Sequence, residues 1–454
     1  MSSSPLFVLM ALTSFLVLPG GGIQTPGGSV ADLLLQDEIA QAEVLLNTQP
    51  KTAESIAFRG EIEFRRGNFD RAEALYKESL QTDSKTARAH FGLGKLAMTK
   101  LKRKEAVKAI RRAVKLDPAE PLYRLYASEA WAIEKNYAEQ RKALQEYVRL
   151  NPIHSPNDAD RLAEAKAGLE VIKALGSGRI GKVEAPQSPA PIRFRKSLNL
   201  IFMNVMINDK GPYDFAIDTG ASQTVLSEKL AADLGLKPIT STIMHGVGGA
   251  GKIDTKLYKL DEIAFGDLKV KNVPVGTFND PLVTQLADGI LGTAILSDFI
   301  VTVNYPESQL ELARKKGSNN GEVIPARFFS NLLLVPIQVN GEHRGNFVVD
   351  TGAVTTVLSL NMAGNLGVTE DTPGAKIDMG LAGVGGFEGV VLRIPNVTFK
   401  TAQNTEVYPQ VVSIDLKQIS KMIGTEVAGV IGFDFFRDYR LTLDYYAAEV
   451  TLAK

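Results

Sequence analysis

FAIDTGASQTVLSEKLAADLGL (residues 215–236) and FVVDTGAVTTVLSLNMAGNLGV (residues 347–368) align without a gap at an offset of 132 residues (347 − 215). Each begins with an apolar run, Phe215-Ala216-Ile217 or Phe347-Val348-Val349, which reads as a short strand delivering an Asp into a tight turn closed by Gly220 or Gly352. Working outward, the match continues. GVGG recurs at Gly246, Val247, Gly248, Gly249 and at Gly383, Val384, Gly385, Gly386. DGILG (288–292) answers to AGVIG (428–432), and FIVTVNYPESQLEL (299–312) to YRLTLDYYAAEVTL (439–452), both at an offset of 140 (428 − 288). Four blocks in one order, twice over, make the segment from Ile192 to Lys454 a duplicated β-rich unit. The growth of the offset places small insertions in loops of the second copy. The two copies are taken as 192–320 and 321–454.

These blocks resemble the aspartic peptidases, in particular the retropepsin-like group. The likeness rests on D-T-G-A in both copies, on the glycine-rich segment about thirty residues later, and on Ile290-Leu291-Gly292 with Val430-Ile431-Gly432. It implies an all-β, pseudo-twofold, two-lobed domain in which Asp218 and Asp350 meet as the catalytic pair. Two carboxyls sharing one site cannot both ionise, so the pair holds one proton and supplies acid and base together. The resemblance also implies that Thr219 and Thr351 turn away from the carboxylates and hydrogen-bond across the lobes, and that amides at Gly220 and Gly352 hold the outer carboxylate oxygens. Ala221 and Ala353 stand where pepsin-like enzymes usually carry Ser or Thr, which predicts a less acidic pair. Ser222 has Val354 as its counterpart, so the halves are not equivalent; sequence assigns the proton to neither Asp.

Residues 243–256 read as strand, glycine-rich tip and strand, a flap that closes over a peptide. Because 381–388 repeats the tip, a flap is expected in each lobe. Neither tip contains the Tyr of the single pepsin-like flap, which favours the retropepsin-like arrangement. His245 and Phe387 flank the tips and either touch substrate or pack against a loop. The implied activity is endopeptidase action on a polypeptide held as an added strand. The alternative keeps the fold and drops the chemistry, leaving a peptide-binding adaptor; Val354 and the unequal flaps motivate it.

Residues 30–175 are helical in composition, with Ala, Leu, Glu, Lys and Arg dominant and apolar residues recurring three and four apart. A period of 34 runs through them: Pro118 and Pro152, Gly60 and Gly94, Ala72 and Ala106, Tyr76 and Ile110 each keep that interval. This is the tetratricopeptide period. Small Gly60, Gly94 and Ala106 mark close helix approach, Tyr76 and Ile110 fill the space between pairs, and Pro after Asp117 or Asn151 stops a helix. Repeats are expected to start near Lys51, Lys85 and Ala119, giving an α-solenoid that presents a surface to a protein partner or serves as a spacer. Lys104, Lys108, Arg111, Arg112 and Lys115 share one helix side opposite Ala106, Ile110 and Ala113. That stripe reads as facing water, with a site for an acidic partner as the alternative.

Between the two regions, GSGRIGKVEAPQSPAP (176–191) reads as a Pro/Gly-rich linker. The G-x-G-x-x-G of Gly176, Gly178 and Gly181 follows a helix rather than a strand, and that of Gly246, Gly248 and Gly251 continues as β, so neither is a nucleotide loop.

Composition bounds the rest. The 454 residues carry 51 Lys plus Arg against 51 Asp plus Glu, a balance that argues against nucleic acid and anionic membrane as partners. No Cys is present, which removes disulfides, thiol nucleophiles and cysteine metal sites. The four His (His90, His154, His245, His343) show no metal spacing, so no metal or organic cofactor is expected. The first Lys or Arg is Lys51, and residues 6–18 form an apolar run too short to span a bilayer, followed by Pro19 and three Gly. Residues 1–28 are therefore expected to be a secretory leader and the protein to be periplasmic or secreted, without an integral membrane span.

Overall fold

The computed structural model describes residues 28–152, 156–176, 178–245, 252–315, 317, 320–377 and 389–454. The leader, but for its last residue, and the glycine tips of both flaps lie outside the described residues. Two compact units are present: one holds 28–169 with Lys421–Glu426, the other Glu170–Ser420 with Val427–Lys454.

The first unit is a run of helices: α1 (Val30–Leu35), α2 (Ile39–Asn47), α3 (Ala53–Arg65), α4 (Phe69–Thr82), α5 (Ala87–Thr99), α6 (Arg103–Leu116), α7 (Pro121–Ile133), α8 (Tyr137–Leu150) and α9 (Pro156–Leu175), the division between the units falling within the last. The odd-numbered members of three successive pairs begin at 53, 87 and 121, so the 34-residue sequence period is the structural one. Starts and stops are written locally. Thr52 and Ser55 cap α3 reciprocally, Pro121 occupies the first turn of α7, and Asn151 ends α8 at φ 46°. Glycine sits where the pairs pack: a Cβ on Gly60 would lie 2.7 Å from the Tyr76 ring and one on Gly94 2.5 Å from Ile110. Both partners are fully buried.

An ion pair is also buried there. Glu61 Oε2 accepts from Lys95 Nζ at 2.6 Å and from the Tyr76 hydroxyl at 3.2 Å, and Lys95 Nζ lies 4.3 Å from the centre of the Phe64 ring. Burial alone would raise the Glu61 carboxyl; Lys95 and Arg65 outweigh it and hold the group at about 2.

The second unit is all-β with short helices. In the first lobe, strand Lys210–Ile217 runs parallel to Gly289–Leu291, placing Phe215, Ala216 and Ile217 beside Gly289, Ile290 and Leu291. In the second, His343–Val349 runs parallel to Gly429–Ile431, with Phe347, Val348 and Val349 beside Gly429, Val430 and Ile431. The register is identical, copy for copy. The strands of both lobes read as apolar runs because both faces are covered: Phe215, Ile290, Phe347 and Val430 are all fully buried.

A third, six-stranded sheet joins the lobes. Strand Ile300–Asn304 pairs antiparallel with Arg440–Asp444, Thr302 opposite Thr442. Its outer strands repeat the symmetry, Ile192–Arg193 pairing with Gln309–Ala313 and Glu322–Pro325 with Glu449–Ala453. One part of the proline- and glycine-rich connection is structured: Lys182–Glu184 forms a strand beside Lys269, Val270 and Lys271 of the first lobe. Among the described residues, no helix is long and apolar enough to cross a membrane.

Candidate active site

Each Asp follows its strand directly, and its turn is fixed at the same two points. Asp218 N–H donates to Leu291 O at 3.1 Å and Asp350 N–H to Ile431 O at 3.1 Å. Behind the turns, the Thr224 hydroxyl accepts from Gly292 N–H and that of Thr356 from Gly432 N–H, both at 3.2 Å. The parallel strand of each lobe thereby braces the turn that carries the Asp.

The turns are locked to one another through their threonines. Thr219 N–H donates to Thr351 Oγ1 at 3.1 Å and Thr351 N–H to Thr219 Oγ1 at 3.0 Å. Each hydroxyl passes its own proton to the opposite strand, Thr219 to Val349 O at 2.9 Å and Thr351 to Ile217 O at 2.8 Å. All four bonds are buried, and the amide and hydroxyl of each threonine are satisfied by the other lobe.

This lock brings the carboxyls together. A Cβ on Gly220 would overlap the Asp350 carboxyl, and one on Gly352 would overlap that of Asp218. Glycine is thus required at both places by the opposite lobe's Asp. Asp218 is 1% exposed and Asp350 fully buried. Within its own turn, Asp218 Oδ1 accepts from Gly220 N–H at 2.8 Å and Ala221 N–H at 2.9 Å, whereas Asp350 Oδ1 accepts only Gly352 N–H, at 2.7 Å. Burial, then the neighbouring Asp218 charge and a hydrogen bond donated to that carboxylate by the protonated form, push Asp350 well above the ordinary carboxylate range. The amides of Gly352 and Gly220 pull the other way without prevailing.

Of the other residues singled out in the sequence, Ser222 and Val354 are buried just past the turns. His245 closes strand Thr240–His245, which pairs with Lys252–Phe265 in a hairpin with His245 opposite Lys252. Gly246, Val247, Gly248, Gly249, Gly383, Val384, Gly385, Gly386 and Phe387 lie outside the described residues.

Three residues around the pair escaped the sequence reading. Asp434 accepts from the Thr355 hydroxyl at 2.8 Å, the Thr356 amide at 2.8 Å and the Thr356 hydroxyl at 2.7 Å, clamping the chain just beyond Asp350. Its counterpart in the first lobe is Ala294, so the clamp belongs to one side only. Tyr305 and Tyr445 are fully buried near the dyad, and after burial itself the charge of Asp350, and for Tyr445 of Asp218 as well, raises their hydroxyls. Both tyrosines hold equivalent places in the blocks 299–312 and 439–452, where the 140-residue repeat makes them visible as a pair. Among the described residues, no three His, Asp or Glu side chains gather as metal ligands do.

The family model described as aspartyl protease matches residues 203–295 and again 335–435, once per lobe. The tetratricopeptide repeat model matches 59–105 and 95–152. The chain carries an aspartyl protease module and a tetratricopeptide array. Among solved structures, an aspartic proteinase from Irpex lacteus is 14% identical to the protease module's chain, with a TM-score of 0.38 over 59% of this chain and 97% of the other. PcrH, solved with the chaperone binding region of PopD, is 21% identical over 27% of this chain and 90% of its own, with a TM-score of 0.25. The Yersinia enterocolitica secretion chaperone SycD, solved with a peptide of the translocator YopD, is 19% identical over 27% and 92%, also at 0.25. No curated protein matches the chain.

Proposed function

We propose that the protease module is an aspartic endopeptidase using a water activated between Asp218 and Asp350. The observation that carries this reading is reciprocal: each turn glycine lies against the opposite lobe's carboxyl, so two acidic groups share one buried gap. Asp350 holds the proton, since burial and its neighbour's charge raise it. Asp218, with two amides of its own turn on one oxygen, is the anion. In the reaction, the Asp218 carboxylate takes a proton from water as the water oxygen bonds to the scissile carbonyl carbon. Asp350 donates its proton to the carbonyl oxygen, giving a neutral tetrahedral diol. Collapse breaks the C–N bond as the carboxyl now protonated on Asp218 gives its proton to the leaving nitrogen. A diol hydroxyl returns its proton to Asp350, restoring the pair.

The threonine lock fixes the approach of the carboxyls, and the hairpin ending at His245 supports a flap role that would exclude water from the bound peptide. The repeat array would bring a substrate or a scaffold to the enzyme. The test is cleavage of a peptide library by the purified full chain, with Asp218→Asn and Asp350→Asn measured separately. Loss of cleavage in both supports the pair. Retained cleavage in either, or none by the wild-type chain across pH 3 to 8, would leave a peptide-binding module.

A further inference from the structure

A groove of about 1220 Å³ opens in the helical unit between α6 and α8. Its floor is apolar, made by Val107, Val114, Ala127, Ala143 and Trp131. Trp131 is the only Trp of the chain; it is half-buried and packs against the cluster containing Val107, Ile110 and Ala143. Along one wall run Lys104, Lys108, Arg111, Arg112 and Lys115, all exposed.

The electrostatics of this groove differ from those of the rest of the array. Several cations elsewhere are paired: Lys95 with Glu61, Lys100 with Glu73, Arg88 with Glu54, Lys77 with Glu73. The five cations of α6 form no ion pair among the described residues. Arg124, from α7, has its Nε buried there without a hydrogen-bond partner among the described residues. The lining includes seven Lys or Arg against four Glu. Three of those Glu are engaged by cations: Glu105 by Lys102 at 3.5 Å, Glu139 by Lys142 at 2.6 Å and Glu146 by Arg149 at 3.0 Å. The anions of the groove are largely neutralised locally while its cations are not, so it presents a positive field over an apolar floor.

We propose that this groove binds an acidic peptide segment, its carboxylates along the α6 wall and an apolar side chain on Trp131. A peptide fits better than a nucleic acid. A phosphate backbone offers nothing to the apolar floor made by Trp131 and its neighbours, whereas a peptide carries both carboxylates and apolar side chains. The site is independent of the catalytic reading, since all of its residues belong to the helical unit.

The single Trp makes the test direct. The full chain is titrated with a short Trp-free peptide of Glu and Asp flanking a central Leu pair, following Trp131 emission, with the Gln and Asn version of the peptide as control. The expected result is a saturable emission change with the acidic peptide alone, weakened by high salt. Affinity falls at least about tenfold in Lys108→Glu/Arg111→Glu and in the milder Lys104→Gln/Lys115→Gln, and is unchanged in Arg141→Glu, an exposed position of α8 outside the groove. Far-UV circular dichroism checks that each variant is folded. Equal binding of the neutral peptide, an equal loss in Arg141→Glu, no emission change in the wild type, or tighter binding of a single-stranded oligonucleotide than of the acidic peptide would each overturn the proposal.

Discussion

The hydroxyls of Thr302 and Thr442 lie 2.9 Å apart, and the two residues are the same position in the two copies of the duplication. A residue hydrogen-bonded to its own copy sits on the pseudo-twofold axis. The same symmetry relates Thr219 to Thr351 and Asp218 to Asp350, so the joining sheet and the candidate active site are two levels of one interface. Identity of the copies is what lets a single axis bring distant residues together. Departures from identity, Ala294 against Asp434 and Ser222 against Val354, are where the two halves acquire different chemistry.

The threonine lock is expected to matter for stability as well as for geometry. Thr219→Ala leaves the Thr351 amide and the Val349 carbonyl buried without partners, at a cost of about 1–3 kcal/mol each. Thr219→Ser keeps the hydroxyl and should recover most of the loss. Urea denaturation of both variants measures this; equal stability of Ala and Ser would show that the crossed bonds contribute nothing net.

Replacement of either carboxyl should remove the proposed acid–base step. Asp218→Asn and Asp350→Asn are each expected to lower kcat by at least about 10²–10⁴-fold. KM should change little, because neither substitution alters the shape of the gap. Steady-state kinetics on one cleaved library peptide separates the two parameters.

Charge at Asp350 gives a pH dependence of known sign. Its folded pKa is raised above 3.8, so the contribution to stability is fully present below that pH and is lost as pH rises through the folded value. Asp350→Asn, which stays neutral, should therefore gain thermal stability over the wild type on going from pH 4 to pH 8. Activity should fall over the same rise as Asp350 loses its proton. Melting curves at several pH values test the first statement and a pH–rate profile the second; an activity maximum below about pH 3 would contradict the assignment.

The duplicated blocks made the protease fold legible because register, turn and buried strand are all written in contiguous residues: Phe215 to Gly220 is a complete unit, and so is Phe347 to Gly352. The repeat period was legible for a similar reason, since each helix pair needs its small residue at a fixed distance from its large one. Relations that join separate segments were not. Asp434 reaches Thr356 across 78 residues, and no local pattern announces the clamp. Lys182–Glu184 forms its strand only because Val270 and its neighbours offer an edge, which its Gly- and Pro-rich flanks conceal. The basic stripe of α6 was legible as a stripe; that it walls a groove depends on how far α8 stands from α6.

The packing of the array yields a last prediction. Gly94 faces Ile110, where a Cβ would lie 2.5 Å from Cγ1 and 3.2 Å from the Ile110 amide nitrogen. The first contact is with a side chain, the second with backbone, so rotation of Ile110 alone does not make room. Alanine is the better helix former by about 1 kcal/mol, which on an exposed face would stabilise α5. Here overpacking by about 1–3 kcal/mol should win, and Gly94→Ala should lower the stability of the helical unit. Ile110→Ala removes Cγ1 and with it the first contact, so the Gly94→Ala penalty should be smaller in the double variant than in the wild-type background. A double-mutant cycle in urea gives the coupling; additive effects of the two substitutions would show that the close approach of α5 and α6 is not what fixes glycine at position 94.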